Sequence, residues 1–113
     1  MTACGEEDRS MRKAVDGISV LGPWLVTADE IADPDALSLK LSVNGDLRQD
    51  TSTAMQFLDC PKLIAYASRF YTLFPGDVIL SGAAEGVGPV VPGDVVTCEI
   101  EGIGAMEVAV RTA

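Results

Sequence analysis

Glu99 and Glu101 stand two residues apart in a stretch that reads as a strand, the spacing at which two carboxylates share a face and could hold a hard cation through oxygen. The same alternation makes them the solvated face of a hairpin, which is the simpler reading. A second feature, Ser81 to Gly88, carries three glycines. It could cradle an anion with backbone N–H groups, or only form a tight, irregular turn. No Gly-Lys-Ser/Thr follows it, and its spacing is not Gly-x-Gly-x-x-Gly, so neither a P-loop nor a dinucleotide fingerprint is present. Lys13 has no special local sequence pattern, and a lysine taken alone near an N-terminus is a solvated charge. Cys98 alternates inward as a small core residue, and Cys60, beside Pro61, has no neighbouring base in the sequence. Histidine, the commonest neutral metal ligand and general base near neutrality, is absent from the chain. Any chemistry must therefore use carboxylates, lysine, hydroxyls or cysteine.

Several short elements would have to position these groups. Leu37, Leu39, Leu41 and Val43 alternate with Ser38, Lys40, Ser42 and Asn44, the period of a strand with one buried and one wet face. Asn44-Gly45 supplies the positive φ values of a tight hairpin, with Leu47 to Asp50 returning. The apolar run Leu21 to Thr27, with Trp24, predicts a buried strand. Pro61 suits a first helical turn, and Leu63, Ile64, Ala67, Phe70 and Tyr71 recur on one face, predicting a helix of about three turns that ends before Pro75. Two Pro-Gly-Asp-Val segments, at Pro75 and Pro92, predict type II turns, each launching a strand. A terminal hairpin follows from the alternation of Val96, Cys98 and Ile100, and then of Met106, Val108 and Val110, across Gly102 to Gly104. One helix among several short strands predicts a mostly β, α+β domain.

Composition narrows the possible partners. At 113 residues the chain has room for one modest core. A formal net charge of −9, with eight Lys and Arg, excludes a phosphate-backbone partner, whose affinity needs clustered cations. The three cysteines are far apart, which fits a reducing cytoplasm better than a disulfide framework or thiolate zinc site. No apolar stretch approaches the ~20 residues of a membrane span, and the acidic start lacks a signal-peptide apolar region. Residues 1–12 show no period and read as a loose N-terminal segment, leaving 13–113 as the domain.

Lys13, Asp16 and Gly17, then Gly22-Pro23-Trp24, then Pro75-Gly76-Asp77-Val78-Ile79-Leu80-Ser81-Gly82 and Glu85-Gly86-Val87-Gly88-Pro89, stand in an order that resembles the C-terminal half of the fumarylacetoacetate hydrolase family. The resemblance runs from Lys13 to the end. It implies a mixed β-sandwich or β-roll with the metal site opening at one end, and a Mg- or Mn-dependent enzyme acting on small 2-oxo and enol acids. Hydrolysis of a carbon–carbon bond, decarboxylation, hydration and isomerisation all occur among members. By the same resemblance Lys13 is the catalytic residue, its ammonium stabilising an enolate or binding a carboxylate, and Gly82 and Ala83 bind substrate. Members commonly read Thr-Gly-Thr-Pro-x-Gly-Val-Gly where this chain has Ser81, Ala83 and Ala84, so the hydroxyl expected at Ala83 is missing. Loss of one donor to a charged ligand costs about 1.5–3 kcal/mol.

The family's metal carboxylates lie upstream of the lysine, where Asp8 is too near to match, so the resemblance implies an enzyme half with no metal site of its own. A non-catalytic β domain, or a subunit completed by a separate metal-binding chain, is the alternative. Members are commonly homodimers, which together with the apolar strand faces predicts a homo-oligomer or a complementing chain. Arg48 to Met55 resembles a family loop that approaches the active-site mouth, and read from its own residues it is a polar hairpin exit.

Overall fold

The structure is a computed structural model and describes residues 16–112. Lys13, Asp8 and Cys4 lie outside the described residues. Four strands carry the fold: β1 (Ser38–Val43), β2 (Asp46–Ser52), β3 (Val95–Ile100) and β4 (Gly104–Ala109). A 3-10 turn (Thr53–Met55) and one helix, α1 (Cys60–Ala67), stand between β2 and β3. The strands form one open sheet in the order β2-β1-β3-β4, antiparallel throughout. The mostly β, α+β class with a single main helix is as expected.

The Asn44-Gly45 turn takes φ of 52° and 86°, the paired positive values of a type I′ hairpin whose twist matches its strands. Register then places Leu39, Leu41 and Val43 opposite Ile100, Cys98 and Val96, and these opposite Gly104, Met106 and Val108. Across β1, β3 and β4 one face of the sheet is thus apolar. On β2 the ladder slips between Leu41 and Ser42, which pair with Gln49 and Leu47, leaving Arg48 as the extra residue of a β-bulge. The bulge separates two residues that plain alternation would put on one face. Gln49 stays on the apolar side, 9% exposed, whereas Leu47 pairs with Ser42 on the polar side.

Both Pro-Gly-Asp segments close as type II turns. Asp77 N–H donates to Phe74 O and Asp94 N–H to Val91 O, with Gly76 and Gly93 at φ of 98° and 100°. Each aspartate also reaches back, accepting from Phe74 N–H at 2.7 Å and Val91 N–H at 2.9 Å. Only the second turn launches a strand. After the first, positive φ at Gly82 and Gly86 breaks the extended backbone before a ladder can form. The Leu21–Thr27 run likewise forms no strand. Trp24 instead donates its indole N–H to Ile103 O at 2.8 Å, and its ring lies over Gly104, where an added Cβ would come within 2.7 Å of it.

Helix α1 is shorter than its apolar periodicity suggests. Asp59 caps its start, accepting from Lys62 N–H at 2.8 Å, and Asp35 accepts from Cys60 N–H at 2.9 Å. Beyond Ala67 three-residue bonds intrude, from Arg69 N–H to Tyr66 O and from Phe70 N–H to Ala67 O, with Tyr71 N–H sharing Ala67 O, while Ser68 Oγ donates to Ala65 O. The helix therefore tightens into turns where Phe70 and Tyr71 were expected to continue it. Tyr66 and Phe70 still meet edge to face at 5.3 Å.

Among the described apolar residues only Val43 is buried, while Leu25 and Phe57 are 86% and 98% exposed. The apolar face of the sheet is covered only in part by the described residues. No described helix is long and apolar enough to cross a membrane.

Asp94 links the two hairpins by accepting from the Asn44 side-chain amide at 2.8 Å, while Asn44 Oδ1 accepts from Val95 N–H. The Val91 N–H, and after it the Asn44 amide, hold this carboxyl below its ordinary 3.8. A depressed folded value contributes stability that is present above the unfolded value and lost as pH falls through the folded one. The melting temperature followed by circular dichroism should therefore drop increasingly below about pH 4. Asp94→Asn should flatten part of that slope. An identical slope in the variant would remove Asp94 as a cause.

Candidate functional site

The segment from Ser81 to Gly88 lies against the bulge of β2. Gln49, on the inward side of the bulged strand, donates from Nε2 to Ala84 O at 2.9 Å. Gly86 rests on the backbone of Arg48 so closely that a Cβ there would stand 2.0 Å from the Arg48 carbonyl oxygen and 3.0 Å from its carbon. Its φ of 100° is one that side-chain-bearing residues avoid. At the other end of the segment, Gln56, just past the 3-10 turn, donates from Nε2 to Ser81 Oγ at 3.1 Å. The bulge, not the regular ladder, is what brings β2 and the glycine segment together.

Between these anchors Gly82 and Ala83 are exposed, and neither makes a hydrogen bond to another described residue. Gly82 has φ of 120° with open space around its α-carbon. Adjacent backbone N–H groups held without a protein partner can receive an anion such as a carboxylate. A groove of about 440 Å³ opens beside Ser81, walled by Leu63 and Ile64 of α1 and by Phe74 and Ile79.

Among the described residues, no three His, Cys, Asp or Glu side chains stand close enough to hold a metal ion. The Glu99 and Glu101 pair is spoken for otherwise. Glu99 stands opposite Lys40 in the ladder, and Glu101 accepts from Ser38 N–H at 3.2 Å. Burial pushes the Cys98 thiol up. The Cys60 thiol is pushed up first by its hydrogen bond to Asp35 and then by burial. Both shifts disfavour the thiolate, and with it nucleophilic or metal-binding use.

A family model described as fumarylacetoacetate (FAA) hydrolase C-terminal matches residues 4–111. The chain belongs to the fumarylacetoacetate hydrolase family. It is 54% identical over 112 residues to a maleylpyruvate hydrolase of Aquipseudomonas alcaligenes, covering 99% of this chain and 39% of that protein. A 4-hydroxyphenylacetate degradation bifunctional isomerase/decarboxylase of Salmonella dublin is 46% identical over 94 residues, covering 83% of this chain and 22% of the relative. The crystal structure of maleylpyruvate hydrolase from Sphingobium sp. SYK-6 in complex with manganese(II) and pyruvate superposes with a TM-score of 0.86 at 49% identity, over 92% of this chain and 39% of that one. The chain thus spans about two fifths of the maleylpyruvate hydrolases it matches.

Within this family fold the described residues contain the segment from Ser81 to Gly88 and its two side-chain supports, Gln49 and Gln56. Gly82 and Ala83 fall together on one exposed stretch, and Lys13 lies outside the described residues. Gln49 and Gln56 were not singled out by the sequence. Gln49 falls within the Arg48 to Met55 tract, which contacts the glycine segment, and Gln56 lies one residue beyond that tract.

Proposed function

We propose that this chain supplies the substrate-carboxylate part of a divalent-cation-dependent site for small 2-oxo and enol acids, with hydrolysis of an acylpyruvate as its reaction. The observation that carries this reading is the Gly82–Ala83 stretch, anchored on both sides and free of backbone partners, in a chain of the fumarylacetoacetate hydrolase family. The 54% identity to a maleylpyruvate hydrolase favours hydrolysis over the family's other reactions. In this reading the N–H groups of Gly82 and Ala83 receive the carboxylate, and the Lys13 ammonium stabilises the developing enolate.

The described residues do not fit a Mg or Mn site, so in this reading its carboxylates come from outside them. When bound, such a cation polarises the oxo group. The lack of that carboxylate set among the described residues also favours the second reading, a subunit that works only beside a separate metal-binding chain. Residues 13–113 form the partial catalytic domain in either case. The exposed apolar residues support a homo-oligomer or a complementing chain. Light scattering that shows a stable monomer at high concentration would count against this. The scattered cysteines favour a cytoplasmic location.

The direct test supplies the upstream part of the A. alcaligenes relative, in trans or as a fusion, and follows maleylpyruvate consumption with Mn. Manganese-dependent turnover is expected of the completed protein, and none of the 113-residue chain alone. A folded, manganese-loaded fusion without turnover would refute the proposal. Turnover by the chain alone would refute its dependence on a second part.

A further inference from the structure

The segment from residue 78 to 90 makes no backbone–backbone hydrogen bond among the described residues. Its polar ties are two side-chain amides, Gln49 on Ala84 O and Gln56 on Ser81 Oγ. They fall on either side of Gly82–Ala83. Gln49 is the one buried polar residue described, and burying an amide is unfavourable unless its hydrogen bonds are made. Gln56 satisfies only part of its potential, since its Oε1 is buried with no partner. A buried amide left half-satisfied lowers stability. The Gln56 contact with Ser81 is therefore poorly explained as a device for holding the fold.

We propose that Gln49 and Gln56 act as a clamp, two positioning residues that hold the Gly82–Ala83 backbone in the conformation that receives an oxo-acid carboxylate. The inference rests on the functional reading above. Neither glutamine touches the ligand. Their effect is to order the stretch before binding, so that affinity is not spent on ordering it at the moment of binding. Gln49→Leu keeps the side chain's approximate volume, removes the donor and leaves Ala84 O without its partner. The Gly86 contact with Arg48 and the Gln56 bond to Ser81 remain, so the segment keeps two anchors.

The test uses the 113-residue chain labelled with ¹⁵N. In Gln49→Leu the heteronuclear NOE at Gly82, Ala83 and Ala84 should fall, while Val43 and Cys98 in the sheet hold theirs. Pyruvate should shift the Gly82 and Ala83 amides of the wild type, with a half-saturation concentration about tenfold higher in the variant, the weight of ordering roughly one backbone residue. Reversible unfolding would itself raise the apparent midpoint by the reciprocal of the folded fraction, so the folded fraction of each variant is taken from its urea titration and the rise that remains after this correction separates positioning from stability. Gln56→Leu is the second variant, and should loosen Ser81 and Gly82 while sparing Ala84. Unchanged NOE values in both variants, or a loosened stretch with an unmoved midpoint, overturn the clamp. Wild-type amides that ignore pyruvate overturn the functional reading instead, and the NOE comparison then decides the clamp by itself.

Discussion

Gly86→Ala should push the glycine segment off β2 and lower the urea midpoint of the chain by the equivalent of about 2–4 kcal/mol, the range of backbone strain joined to a lost contact. The new Cβ would stand 2.0 Å from the Arg48 carbonyl oxygen, and that oxygen belongs to the backbone of a bulge, which cannot rotate aside as a side chain would. Either β2 shifts, breaking its pairing with β1, or the segment lifts and the Gln49 bond to Ala84 is lost. Lifting is the cheaper route, because it disturbs no ladder, and it caps the loss at what the segment contributes. Gly76→Ala is the matched control. Its φ of 98° nearly equals the 100° of Gly86, but nothing lies within 4 Å of its would-be Cβ. It should show only the strain of the backbone conformation, about 1–2 kcal/mol. Equal losses from the two variants would remove the Arg48 contact as the cause.

The second large effect concerns two positions expected to move in opposite directions in the fusion with the upstream part of the A. alcaligenes relative. Lys13→Met should lower kcat tenfold to a thousandfold, roughly the loss seen when one oriented electrostatic group is removed from a developing oxyanion. Ala83→Thr should lower KM. It returns a hydroxyl to a stretch that is exposed and already placed, so the new donor meets the ligand without having to order the backbone first. Unchanged turnover in Lys13→Met, with manganese still bound, would make Lys13 a surface charge. An Ala83→Thr variant with unaltered KM would move the carboxylate contact away from this residue.

How much of this was legible in the sequence depended on whether a signal was local. Asn44-Gly45 and the two Pro-Gly-Asp turns were readable because the φ each needs is set by the residues themselves. The terminal hairpin was readable because its alternation runs unbroken through β3 and β4. Leu21 to Thr27 misled because an apolar run records burial and not pairing. A strand needs a ladder neighbour, and here the run is used to lay Trp24 over Gly104. The end of α1 misled because periodicity continues through Phe70 and Tyr71 in tight turns as readily as in a helix. The supports of the glycine segment were the least legible. Gln49 owes its place to the slip at Arg48, and nothing in the order Leu47-Arg48-Gln49 announces that two neighbours in an alternating pattern will end on opposite faces.

The twin type II turns have a consequence for how the protein can change. Each is closed within four residues by its own aspartate, Asp77 on Phe74 and Asp94 on Val91, so neither depends on what lies between them. The exposed residues of the stretch they bracket can vary, so long as Gly86 keeps its seat on Arg48 and a carbonyl still meets Gln49, while β3 begins at the same place and in the same register. New side chains could then appear in that stretch without re-threading the sheet that carries it.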